Sequence, residues 1–237
     1  MNPDAPIAVS LDSLTILQQI SSPALPIGGF TYSQGLEAAV ELRLIHDEAS
    51  AAQWITAQLH TVMTPSEAPL WCLLFDAWQR QDDDAVRHWN GWFHASRETQ
   101  EIRQETEQMG RSLARLAREL SWVGEASLSL LDRLQPLTLP LVHSLICATA
   151  RIPQPAGLSA YLFTWLENQI AAAVKSVPLG QTAGQRILDG LRRQIPALVD
   201  EAQTRSHTAP PALHTLAPQY GIVSSRHASQ FSRLFRS

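Results

Sequence analysis

Cysteine is scarce in this chain: of 237 residues only Cys72 and Cys147 are cysteines, each alone within an apolar helical pattern. Neither has a ligand partner at short spacing. That excludes a disulfide frame and points to buried thiols in a reducing compartment, the cytoplasm. Charge is sparse too, at 17% of residues against 45% hydrophobic, with a net charge of −4. Such a chain offers no polybasic surface for nucleic acid or an anionic membrane, and neither is expected as a partner. The apolar-rich uncharged run 134–150 contains Pro136, Pro140, His143 and Ser144 and falls short of the roughly 20 apolar residues that cross a bilayer. Residues 1–10 have no basic opening and read as a flexible, disordered lead-in rather than a secretory signal.

Motifs for chemistry are also missing. Gly180-Gln-Thr-Ala-Gly184 lacks the lysine and the spacing of a phosphate loop, and no Gly-x-Gly-x-x-Gly occurs. The eight histidines contain no His-x-x-x-His pair, and there is no nucleophile elbow. No metal site, catalytic residue or cofactor can be read off locally, although a triad assembled from distant residues needs no local motif.

What is present is helical periodicity. No segment alternates as a strand does, and there is no internal repeat. The expected fold is all-α: a single compact multi-helix domain of about eight to ten helices over residues 11–205, a linker over 206–219 and a docking tail over 220–237. A helix over 11–20 is followed by one from Ser33 to Ile45 with Leu36, Ala39, Val40 and Leu44 at helical spacing. Asp47 or Ser50 is placed to cap a third helix. Thr64-Pro65-Ser66-Glu67 has the form of a capping box with proline at the first helical position, opening a helix to Arg80.

Asp82-Asp83-Asp84 lacks a second carboxylate one turn on, where Val86 and Arg87 stand. It reads as a cap with first-turn acids rather than a magnesium site. From Arg97 to Leu120, Ile102, Thr106, Met109, Leu113, Leu116 and Leu120 form a narrow seam. The seam suits intramolecular packing or half of a dimer interface, and a homodimer is expected. Ser127 is read as the cap of a short helix to Leu134, 137–151 as a buried helix broken or started at Pro140, and Pro153–Gly157 as a loop. Ser159 then caps a helix to Val177, with Asn168, Gln169 and Lys175 off its apolar stripe. A further helix from Thr182 is kinked at Pro196.

The passage Ser21–Glu37 joins the first two helices. Pro23 and Pro26 fix φ and bias the residues before them toward extended conformations, which ends the first helix by Ser22. Gly28 and Gly29 allow positive φ or close backbone approach, and Ser33 is placed to cap the second helix. On local chemistry this is a buried helix–helix connection with Phe30 and Tyr32 in the core. Its wording, however, closely resembles the N-terminal signature of the UreF-type urease accessory proteins. Two further matches come downstream, in order: Lys175-Ser-Val-Pro-Leu-Gly-Gln181, and Arg226-His227 with Ser232-Arg-Leu-Phe-Arg-Ser237.

Matched position by position, the signature supplies Pro26, Gly28, Gly29, Tyr32, Ser33, Gln34, Gly35 and Glu37. The second motif supplies Lys175, Pro178, Gly180 and Gln181. The third supplies Arg226, His227, Ser232, Arg233, Leu234, Phe235, Arg236 and Ser237. The resemblance implies an all-helical protein without catalytic chemistry of its own. Such a protein binds the UreD/UreH accessory protein and with it recruits the GTPase UreG, which carries nickel to apo-urease. Modulation of GTPase turnover is a further implied role. The tail is implied to order on meeting UreD/UreH and to help build the surface that UreG recognises, and the exposed part of the signature is assigned to UreG.

This chain departs from the family at His227-Ala228-Ser229, where an acid often follows the histidine, so no role is given to that carboxylate. Composition points the same way at the tail: Phe231, Leu234 and Phe235 supply apolar area, and the interleaved arginines supply bidentate pairing with carboxylates. A reading from another class is an all-helical enzyme or small-ligand binder. Its pocket would lie near the signature, among the tryptophans and Gln34, Glu37, Asn168 and Lys175, and it would have no need of its tail.

Overall fold

A computed structural model describes residues 7–215, 217–226 and 234–235, without the Gln219 side chain. Twelve α-helices and no strand occur among these residues, so the fold is all-α as expected. The centre is α4 (Ala68–Gln79), buried on nearly every side, with Leu70, Trp71, Cys72, Leu74 and Ala77 all at 0% exposure. A helix apolar all round belongs inside a bundle, and each fully buried large side chain here contributes about 1.5–3 kcal/mol. Around it pack α5 (Asp83–Ser96), α8 (Leu139–Thr149), α9 (Gln154–Ser176) and α11 (Ile195–Ser206).

The seam helix α6 (Gln100–Glu119) lies on α8 with Ile102, Thr106, Met109 and Leu113 inward. Its Gly110 permits close approach, since a Cβ there would stand 2.4 Å from the carbonyl oxygen of Leu137. The outer helices are α1 (Leu11–Ile20), α2 (Leu36–Glu41), α3 (Glu48–Gln58), α7 (Glu125–Asp132), α10 (Gln181–Arg192) and α12 (Pro218–Ser225).

Two of the expected caps are in place. Asp47 and Ser50 form a reciprocal capping box on α3, and Asp82 accepts from the Ala85 N–H with Asp83 and Asp84 in the first turn of α5. Several local expectations are corrected. Thr64–Glu67 does not open a helix: residues Leu59–Glu67 run on from α3 as a π-helix into α4. Pro65 can donate no ladder bond, the Thr64 hydroxyl satisfies the Leu59 carbonyl at 2.8 Å, and Glu67 turns into the interior instead of capping. Gly124 rather than Ser127 precedes α7.

Pro153–Gly157 is not a loop capped by Ser159. It supplies the N-cap and first turn of α9, where the missing N–H of Pro155 is harmless. Ser33 does not cap α2 directly: Gly35 does, and Ser33 Oγ accepts from the Glu37 N–H at 3.4 Å. α2 ends at Glu41, and Leu44 stands 44% exposed rather than on a buried face. The count exceeds ten because the kink at Pro196 is a full break between α10 and α11 and because 218–225 is helical.

Candidate partner-docking site

Residues of all three motifs meet on one side of the bundle. The signature loop leaves α1, turns through Gly28 in the left-handed region (φ 85°) and forms a short 3₁₀ turn over Gly29–Thr31. Gly29 is buried against Asn168 and Met109. The Tyr32 hydroxyl donates to Gln108 Oε1 at 2.7 Å. Gln34, itself at φ 51°, donates to Glu105 Oε1 at 2.7 Å and accepts from Trp165 Nε1 at 2.7 Å. Gly35 (φ 80°) closes the loop, and its backbone lies against Ser224 of α12, where a Cβ would meet Ser224 N at 3.3 Å. The loop is thus pinned from inside, and of its matched residues Pro26 is exposed.

Glu37 then faces the tail. Its carboxylate accepts from the backbone N–H of Leu234 at 2.7 Å and of Phe235 at 3.2 Å. Phe235 is 6% exposed and Leu234 is 70% exposed, so neighbouring side chains point to body and solvent respectively. Lys175, near the end of α9, places its ammonium 5.7 Å from the Phe235 ring and 6.0 Å from the Phe30 ring, within cation–π range. After it Pro178, Gly180 and Gln181 are exposed, with Gly180 preceding α10. Arg226 is exposed just past α12. His227, Ser232, Arg233, Arg236 and Ser237 lie outside the described residues.

Beneath the loop lies a mostly apolar cavity of about 70 Å³, in which Ile27, Ile102, Met109 and Trp165 stand with the polar Gln34, Glu67, Arg97, Glu105, His143, Tyr161, Asn168 and Gln169. Glu67 is its hub, accepting from Tyr161 Oη and pairing with Arg97 at 3.2 Å, while Arg97 also donates to Ser66 at 3.0 Å. Burial and then the Glu67 charge push the Tyr161 phenol well up, so it remains a neutral donor. His143 accepts the Trp71 indole N–H at 3.2 Å, and burial pulls it down to about 3. Three buried atoms of residues that line the cavity, Arg97 Nε, His143 Nε2 and Gln169 Oε1, have no protein partner among the described residues. That volume is small for a substrate, for which pockets run to roughly 300 Å³ and more.

Of the residues grouped for a small-ligand pocket, Gln34 and Asn168 line this cavity, whereas Glu37 and Lys175 do not. Gln169, read as off the apolar stripe, is 1% exposed and within reach of Gln34. Two features go beyond the motif reading. Lys175 is the only lysine in the chain, a compositional signal open to inspection. Glu98 reaches the start of α12, accepting from the Ala217 N–H at 3.4 Å, and nothing local in the sequence announces that contact. No cluster that could hold a metal ion occurs among the described residues, and no helix there is long and apolar enough to cross a membrane.

Comparison with known proteins identifies the family. A family model described as UreF matches residues 45–192. A Bordetella parapertussis protein named urease accessory protein UreF is 63% identical over 218 residues, covering 92% of this chain and 99% of its own. Its Cupriavidus metallidurans namesake is 52% identical over 228 residues, covering 96% and 99%. A Bordetella bronchiseptica protein named bifunctional urease accessory protein UreEF is 61% identical over 235 residues. These are 98% of this chain, which spans only 54% of that relative. With these matches across most of its length, the chain belongs to the UreF family of urease accessory proteins.

Proposed function

We propose that this protein is a non-catalytic component of a urease-maturation assembly, holding the UreD/UreH accessory protein and the GTPase UreG so that nickel reaches apo-urease in the cytoplasm. The observation that carries the reading is the clasp of the tail by the body: Glu37 on the Leu234 and Phe235 N–H groups, with Lys175 beside the Phe235 ring. A carboxylate on two backbone donors grips the main chain, leaving the Leu234 side chain free to meet a partner. Ile222 and Leu234 at the tail, and Leu42 and Leu44 after α2, are exposed large apolar side chains, and α12 packs on α2. UreD/UreH is assigned to this tail surface, and UreG to exposed Pro26 and the 175–181 turn. The work is then selection among partner states by binding free energy, through which turnover of the GTPase is modulated.

The UreEF relative adds a UreE-type protein to the candidate partners. Self-association into a homodimer is read by light scattering. The deciding experiment is co-purification of UreD/UreH and UreG from the same source with tagged full-length chain, a form ending at Val223, and Phe235→Ser. Retention by the full chain and loss by both variants supports the docking role. Retention by none of the three forms, with all of them monodisperse and stable, refutes it.

A further inference from the structure

α12 lacks a start of its own. Its N-cap, Ala217, has no side chain that can accept a backbone N–H, and Pro218 follows at the first position. In a capping box the third helical residue reaches back to the N–H of the N-cap. Here that residue is Tyr220, whose phenol is pushed well up by burial and then by the Glu105 charge, and which offers no carboxylate. An eight-residue helix begun in this way is marginal by itself, and Gly221 in its interior weakens it further. The missing half of the box comes from another element. Glu98, in the connection between α5 and α6, accepts from the Ala217 N–H at 3.4 Å. A Cβ on Gly221 would overlap its other carboxylate oxygen, so the glycine leaves the space that the carboxylate fills. Gly221 is not in the left-handed region, and backbone conformation alone does not call for glycine there.

Glu98 is itself held. Arg103 donates from Nε to the Arg97 carbonyl at 2.9 Å and from Nη2 to the Glu98 carbonyl at 3.5 Å, and Thr99 caps α6 by accepting from the Ile102 N–H. Arg97 is buried and paired with Glu67, so of these two neighbours one is committed to the body and the other to α12. At the far end of α12, Ser224 lies three residues on from Gly221 on the same face and is buried against Gly35. Ile222 between them is exposed. We propose that Glu98 is a positioning residue of the docking surface: by completing the cap of α12 it sets the register in which the C-terminal segment meets UreD/UreH. The body then holds that segment through two carboxylates, Glu98 ahead of α12 and Glu37 at Leu234 and Phe235. The proposal rests on the assignment of the tail surface to UreD/UreH.

The test compares full-length wild type with Glu98→Ala, Glu98→Gln, Gly221→Ala and Glu98→Ala/Gly221→Ala. Hydrogen–deuterium exchange of a peptide spanning 217–226 reads the seating of α12, and interferometry reads binding to the UreD/UreH protein of the same source. Removal of a helix cap corresponds to a loss of about 2- to 30-fold. Glu98→Ala is expected to raise exchange in α12 and weaken UreD/UreH binding within that range, whereas Glu98→Gln, which keeps an acceptor of the same reach, stays closer to wild type. In the Gly221→Ala background the added Cβ has already displaced the carboxylate, so Glu98→Ala changes nothing further. An equal effect of Glu98→Ala in both backgrounds, or none in the wild-type background, overturns the proposal. Looser α12 with unaltered UreD/UreH affinity overturns it too. Absence of UreD/UreH binding by wild type sinks the assembly reading, while exchange by itself still decides whether Glu98 holds α12.

Discussion

Glu37→Gln isolates the contact between body and tail. The substitution keeps the side chain's size and one acceptor oxygen, removes the charge, and turns an amide N–H₂ toward one of the two backbone donors now bound at 2.7 and 3.2 Å. A hydrogen bond to a charged group contributes about 1.5–3 kcal/mol, so losing one lowers the seating equilibrium roughly 10- to 150-fold. Hydrogen–deuterium exchange of a C-terminal peptide containing Leu234 and Phe235 reads this directly, because their amides are protected only while the tail is seated. Exchange in the variant is expected to rise by that factor, with the global unfolding midpoint nearly unchanged. Leu234→Ser is the control: its side chain is 70% exposed, and seating does not depend on it. Wild-type exchange rates in Glu37→Gln refute the clasp as the element that holds the tail.

Other measurements probe the body. Gly35→Ala forces a Cβ into the left-handed region and against the Ser224 backbone, costing about 1–2 kcal/mol, which lowers Tm by about 2–8 °C in a scanning experiment. His143, pulled by burial from its ordinary 6.5 to about 3, stays neutral in the fold while the unfolded chain takes up a proton. Stability is therefore complete above about pH 6.5 and falls by about 1.4 kcal/mol per pH unit between roughly 6.5 and 3; urea titrations of wild type and His143→Phe should differ in that slope. Burial pushes both the Cys72 and Cys147 thiols up, so neither should react with a thiol reagent in the native protein and both should react in denaturant.

Helix type and core membership were legible in the sequence because periodicity reports which face is buried, as α6 and α9 illustrate. Caps were legible where side chain and backbone partner lie within one turn, as at Asp47 and Asp82. Prolines misled in both directions. Pro65 sits inside a continuous π-helix, whose ladder is completed by a threonine hydroxyl, and Pro155 sits in a first turn rather than a loop. The members of the candidate site were nameable from motif wording, but their meeting was not. Glu37 finds Leu234 across 197 positions, and Gln34 finds Trp165 across 131, through packing that no local pattern encodes.

Leu234 and Phe235 carry a consequence of their own. Because they are adjacent and point opposite ways, a hold on one side chain fixes the presentation of the other. A protein that grips Leu234 only in its seated position pulls Phe235 inward by the same free energy with which Phe235 improves the grip. The two events cannot be tuned apart. A change buried beside Phe235, far from any partner surface, therefore acts as an affinity dial for whatever reads Leu234 from outside.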